Sequence, residues 1–242
     1  MTHYIALTCT ALARSVYHIA ASTPAAISVR LLDQGLHDRP RTLRQQLQAH
    51  IDAIEPGMCD AILLVYGLCG NATLGLRAEH TQMVLPRAHD CITLYLGSQQ
   101  RYQQEFDDHP GTYWYSLEYL ERSGNRGGLG AGFPSPMDDV YAEYVQKYGE
   151  DNANYLMEVM GEWSQHYTRA VYIDTGLVDG EALEAEARAQ AARRDWQFMR
   201  LAGNRRLLEM LLEGEWSSDE FLVVPPGHAI ERSAKNLLKA VP

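Results

Sequence analysis

DAILLVYGLCGNATLGLRAEHTQMVLPRAHDCITLYL, residues 60–96, holds two short apolar runs, Ala61–Val65 and Met83–Leu85. Runs this short and this aliphatic read as strands buried on both faces. Each runs at once into a turn crowded with reactive groups. The first turn is Tyr66-Gly67-Leu68-Cys69-Gly70-Asn71 and the second is Pro86-Arg87-Ala88-His89-Asp90-Cys91. Ligands of open α/β sheets bind just beyond the C-terminal ends of the strands, so this stretch predicts both a sheet and the edge of it that does chemistry.

Working outward, Tyr4–Leu7 is a first strand ending at Thr8-Cys9, followed by a helix over Ala11–Ala21. Ile27–Leu32 is a second strand, leading into Gln34–Pro40 with His37. Leu43, Leu47, Ile51 and Ile54 recur at helical spacing over Arg41–Ile54. Pro40 suits the first turn of that helix, and Pro56-Gly57 ends it. Beyond the opening stretch, Ile92–Phe106 reads as a helix and Gly111–Leu120 is aromatic. Ser123–Pro136 is rich in turns and reads as a lid or linker, with a GGLGAG run that matches no phosphate-loop pattern. Helices are expected over Asp138–Lys147, Asp151–His166, Glu181–Trp196 and Asn204–Leu212. Strands are expected at Val171–Asp174, Phe198–Leu201 and Phe221–Val224, and a short helix over Ala234–Val241.

Alternating strands and helices predict an α/β fold with mostly parallel sheets and crossover helices. Asp219–Val224 echoes Asp60–Val65, and His228 follows the one as Cys69 follows the other. The echo predicts two Rossmann-like lobes with a cleft between them. An N-terminal lobe over 1–106 carries the Cys/His site, 107–136 is the aromatic and Gly-rich connection, and 137–242 is a helical and Rossmann-like C-terminal lobe.

Hydrophobic residues make up 46% of the 242, enough for a buried core. The net charge of −10, without a basic run, argues against nucleic acid and anionic membranes as partners. No run nears the roughly 18 apolar residues of a membrane span, and the N-terminus reads as a strand, not a signal peptide. A cytoplasmic protein is expected, in which the four cysteines stay reduced.

The predicted strand ends collect Cys9, His37, Cys69, and then Arg87, His89, Asp90 and Cys91, with His228 in the second half. Cys59 precedes its strand and is expected at the other edge as a structural residue. Thiols and imidazoles on one edge suggest a transition metal, zinc first, with iron or cobalt as alternatives. The expected ligands are Cys69, Cys91 and His37, with Cys9 or His89 close by. Gly67 and Gly70 would let a ligand approach closely. Arg87, His89 and Asp90 would serve catalysis, Asp90 by orienting its neighbours.

The runs YGLCGNATLGL, LPRAHDCITLYLGS with Arg101-Tyr102, Pro110-Gly111-Thr112-Tyr113, GLHDRP and FLVVPPG resemble the family catalogued as domain of unknown function 1638. The segment after Thr112-Tyr113 departs from that pattern at Leu117-Glu118-Tyr119-Leu120. The resemblance implies one-carbon or methylamine metabolism by association with corrinoid proteins and methyltransferases. The leading expectation is a metal-dependent enzyme of methyl-group transfer acting on a small-molecule substrate. A corrinoid, tetrapyrrole or metal-cofactor carrier serving a methyltransferase is the second, with corrinoid cobalt or an Fe–S cluster as its cofactor. His37, His89 or His228 would then be an axial ligand. A metal-free thiol enzyme with Cys69 as nucleophile is the third.

Overall fold

A computed structural model describes residues 1–122, 145–146, 149–152 and 167–242. The Gly-rich segment 123–136 lies outside the described residues. So do the helices expected over Asp138–Lys147 and Asp151–His166, apart from 145–146 and 151–152. The strands in chain order are β1 (His3–Cys9), β2 (Ala26–Leu32), β3 (Ala61–Val65), β4 (Met83–Pro86), β5 (Thr112–Ser116), β6 (Arg169–Asp174), β7 (Gln197–Ala202), β8 (Phe221–Val224), β9 (Ala229–Ser233) and β10 (Leu237–Val241). The helices are α1 (Ala13–Ala20), α2 (Pro40–Asp52), α3 (Cys91–Leu96), α4 (Gln99–Asp108), α5 (Leu117–Leu120), α6 (Glu181–Arg193) and α7 (Arg206–Glu213). The fold is mixed α/β with a mostly parallel central sheet. Among the described residues no helix is long and apolar enough to cross a membrane.

The chain forms two compact units, Met1–Tyr102 with Gly203–Pro242, and Gln103–Ala202. The central sheet of the first has the order β2-β1-β3-β4-β8. β1, β2, β3 and β4 run parallel. β3 and β4 are buried along their whole length, and β1 beyond His3, as their unbroken aliphatic runs require. β1 lies between β2 and β3, so the chain leaves it to one side and returns on the other. In open α/β sheets such a reversal, here at the C-terminal ends of β1 and β3, is where ligands bind. Leu207, Leu208, Leu211 and Leu212 give α7 a buried stripe, which packs on β3, β4 and α1.

Two expectations fail in this unit. The strand Phe221–Val224, expected to build a second lobe, is an edge of the first sheet and runs antiparallel to β4, with Met83 opposite Val224 and Pro86 opposite Phe221. Buried strands share the same residue types whatever their direction, so the echo with Asp60–Val65 carried no topology. The tail is not helical. Leu237–Val241 pairs antiparallel with Ala229–Ser233, and the Arg87 guanidinium binds the Asn236 and Leu238 carbonyls.

The helix expected over Ile92–Phe106 is two helices. Gly97 ends α3 in the left-handed region at φ 69°, and any side chain there would strike the Asn204 backbone at 2.4 Å.

The second unit carries the parallel sheet β5-β6-β7. Tyr113, Tyr115, Tyr172 and Trp196 form its core with Ala187 and Ala191 of α6. The aromatic stretch is therefore core packing. Arg169 is 2% exposed. Its guanidinium meets Glu105 at 2.6 Å and donates to Thr112 Oγ1 at 3.0 Å.

Candidate thiol site at the sheet switch point

Four turns leave the C-terminal edge of the first sheet, and hydrogen bonds knit them together. Gln34 N–H donates to Thr10 Oγ1 at 3.0 Å, joining the end of β2 to the end of β1. Tyr95 of α3 donates its hydroxyl to Ala11 O at 2.7 Å. Leu68 N–H donates to Ala88 O at 2.9 Å and Cys69 N–H to His89 O at 3.1 Å. The turns after β3 and β4 are thus zipped along their backbones. Gly67 makes this possible, because a Cβ there would lie 2.7 Å from Asp90 N and 2.8 Å from Ala88 O. The space at Gly67 is taken by the neighbouring turn and not by a ligand.

Cys69, Gly70 and Asn71 all have positive φ, at 45°, 64° and 68°. Left-handed backbone costs a non-glycine residue about 1–2 kcal/mol. The turn bends back so sharply that Gly70 sits against Pro40 at the start of α2. Arg44 of α2 secures it by donating to Asn71 O at 2.6 Å.

Three thiols meet here. Cys9 is 1% exposed and Cys69 8%; Cys91 is part-buried, and all three are free. Burial pushes the Cys9 thiol up to about 12. Burial raises Cys69, with the charges of Cys9 and Asp90 acting the same way. Burial also raises Cys91, and Asp90, Cys69 and Cys9 add to it. The three lie within electrostatic reach of one another and hold their protons at neutral pH. Tyr66, 1% exposed at the end of β3, is raised by burial and then by Cys9 and Cys69. Its hydroxyl has no hydrogen-bond partner. A buried phenol without a protein partner is costly, and its hydroxyl is left to meet an ordered water or a bound group.

His37 follows β2 in a 3-10 turn capped by Asp33, whose carboxylate accepts from Gly35 N–H. Its ring stacks on Tyr66 with centroids 6.1 Å apart. Burial lowers its pKa, so the imidazole is neutral. Its Nε2 is buried and without a partner.

Asp90 caps α3, accepting from Ile92 N–H at 3.0 Å and Thr93 N–H at 3.3 Å, and accepts from the Tyr102 hydroxyl at 3.2 Å. Burial raises its pKa; those hydrogen bonds and His89 oppose the rise. His89 stacks on Tyr102 at 5.9 Å. Cys9, His37, Cys69, Asp90 and Cys91 therefore belong to one rim, with His89 beside it. Among the described residues no three His, Cys, Asp or Glu side chains stand as a ready-made metal-ligand set. The donor chemistry, three thiols with a neutral imidazole and an orphaned phenol, suits a soft metal once the side chains turn toward it.

Arg87 and His228 are placed elsewhere. The Arg87 guanidinium donates to the carbonyls of Ser218, Asn236 and Leu238, tying the C-terminal hairpin to β4. His228 follows β8, and because β8 is antiparallel its C-terminal end lies beside Met83, at the sheet edge opposite the thiols. Cys59 lies at that opposite edge too, before β3. Sequence reasoning missed Tyr66 as a site residue. Its signal was a polar-tipped residue closing an otherwise aliphatic strand.

No curated protein and no solved structure matches the chain. A family model matches residues 31–212, which include His37, Tyr66, Cys69 and Cys91 and leave out Cys9 and His228. On that match, over most of its length, the chain belongs to the family described as protein of unknown function (DUF1638).

Proposed function

We propose that the protein is a metal-dependent enzyme acting on a small molecule, with a soft metal, zinc first, held by Cys9, Cys69 and Cys91. The observation that supports this is the gathering of three unpaired thiols at the switch point of the sheet, beside an orphaned phenol. His37 is placed to complete the shell or to hold a bound group through Nε2. The metal, when bound, would supply Lewis acidity and lower the pKa of a coordinated thiol or water. Tyr66 would donate its free hydroxyl to the bound group, and Asp90 would hold α3, with Cys91 at its start, in place. Methyl-group transfer, the reaction class implied by the family resemblance, is compatible with a thiol-held soft metal. A metal-free Cys69 nucleophile is the weaker reading, because burial raises that thiol where a nucleophile needs it lowered.

The test is cobalt titration of protein kept reduced and anaerobic, followed by calorimetry at neutral pH. Thiolate-to-cobalt charge-transfer bands should grow to one equivalent per chain and be lost in Cys69→Ala and Cys91→Ala. Binding should release up to about three protons, read from its dependence on buffer ionisation enthalpy. Absence of saturable cobalt binding in the native chain sinks the reading. A visible chromophore in the protein as isolated would favour a tetrapyrrole or Fe–S cargo instead.

A further inference from the structure

Between the thiol turn and the start of α2 lies a cavity of about 530 Å³, open to solvent and lined by Arg39, Pro40, Arg41, Arg44 and Gly70. Three of the 21 cationic side chains of a chain with net charge −10 fall within six residues here. Such a chain repels anions at a distance, so a cavity walled by guanidinium groups is a local exception that needs a cause. Arg44 is engaged, donating to Asn71 O and Ala72 O. Arg39 and Arg41 have no carboxylate partner among the described residues, although Asp38 is adjacent in sequence. The cavity also takes in the first turn of α2, which runs 13 residues from Pro40. Pro40 has no N–H and Leu43 N–H donates to Arg39 O, so the amides that this turn leaves over are those of Arg41 and Thr42.

We infer that this cavity binds the anionic group, carboxylate or phosphate, of the enzyme's small-molecule substrate. Guanidinium forks match the paired oxygens of either group. Gly70 belongs both to the cavity wall and to the turn that carries Cys69. An anion held on Arg39 and Arg41 is therefore bound against a residue that adjoins Cys69 in the chain. This deepens the reading of the thiol site and rests on it for the word substrate. The anion site itself does not depend on a metal.

The experiment is calorimetric titration of the metal-free full-length chain at low ionic strength, with inorganic phosphate in one arm and malonate in the other. At least one anion should bind at one site per chain, and the preferred one identifies the substrate's group. Arg39→Ala/Arg41→Ala, two exposed positions, should weaken that binding at least about tenfold. Binding of neither anion by the native chain at about 10 mM overturns the inference. So does a double variant that binds as tightly as the native chain. Cobalt titration without added anion reads the thiols alone, so the two readings fail separately.

Discussion

Cys69 combines a thiol with a left-handed backbone, φ 45°, that glycine would adopt without strain. Replacing it with alanine removes the thiol and keeps the strain, whereas glycine removes both. Cys69→Gly should therefore be more stable than Cys69→Ala by about 0.5–1 kcal/mol, despite the greater freedom of glycine in the unfolded chain. Urea denaturation of the two variants gives the order, and a more stable alanine variant would show that the turn is not strained. The sequence showed that Cys69 and Cys91 follow strands, and that placing holds. It did not show why Gly67 and Gly70 are glycines. Both were read as making room for a ligand, yet Gly67 makes room for the Asp90 backbone, a contact between turns some twenty residues apart that no local pattern encodes.

At the scale of elements, strands buried on both faces were legible because their runs are aliphatic and short. Direction was not. Phe221–Val224 has the composition of a parallel strand yet pairs antiparallel, because burial on both faces selects the same aliphatic residues in either direction. The hairpin of β9 and β10 was missed for a related reason. Its apolar residues fit a helix as well as a pair of strands, and the Arg87 guanidinium that anchors it lies far away in sequence. In the second unit, β6 starts on a buried cation. Glu105→Ala would leave the Arg169 guanidinium without its carboxylate; Glu105 is partly exposed and Thr112 Oγ1 still accepts from Arg169, so the cost is about 1–3 kcal/mol, below that of a fully buried pair. A loss of that size in the denaturation of the second unit is expected, with Arg169→Met/Glu105→Leu recovering much of it. Equal stability of native chain and Glu105→Ala would mean that water reaches the guanidinium.

Over the whole molecule the protonated thiols set a pH dependence. Each folded thiol has a raised pKa, so above about pH 9 the unfolded chain loses protons that the folded chain retains. Stability is complete below that pH and falls as pH rises, across a window from 9.0 to about 12 for Cys9. The slope is about 1.4 kcal/mol per pH unit for each thiol. Urea melts between about pH 8 and about pH 10.5 should show the fall, and Cys9→Ala should flatten it by roughly one thiol's share. An unchanged slope in that variant would place Cys9 in contact with water. The first unit is interrupted in sequence by the second, and the interruption starts and ends close together, since Asn204 N–H donates to Tyr95 O at 2.8 Å and packs on Gly97. A chain in which Gln103–Ala202 is replaced by a short Gly/Ser linker should keep a cooperative melt and the cobalt site. Loss of both would mean that the first unit does not fold alone. The antiparallel β8 also imposes an order on biosynthesis. As the ribosome delivers the chain, the Met83–Pro86 edge emerges early and stands open while the whole second unit is made. Only when Phe221–Val224 leaves the exit tunnel is that edge closed. Until then the nascent protein carries an adhesive strand, so a premature stop between the two yields a sticky fragment instead of a smaller working protein.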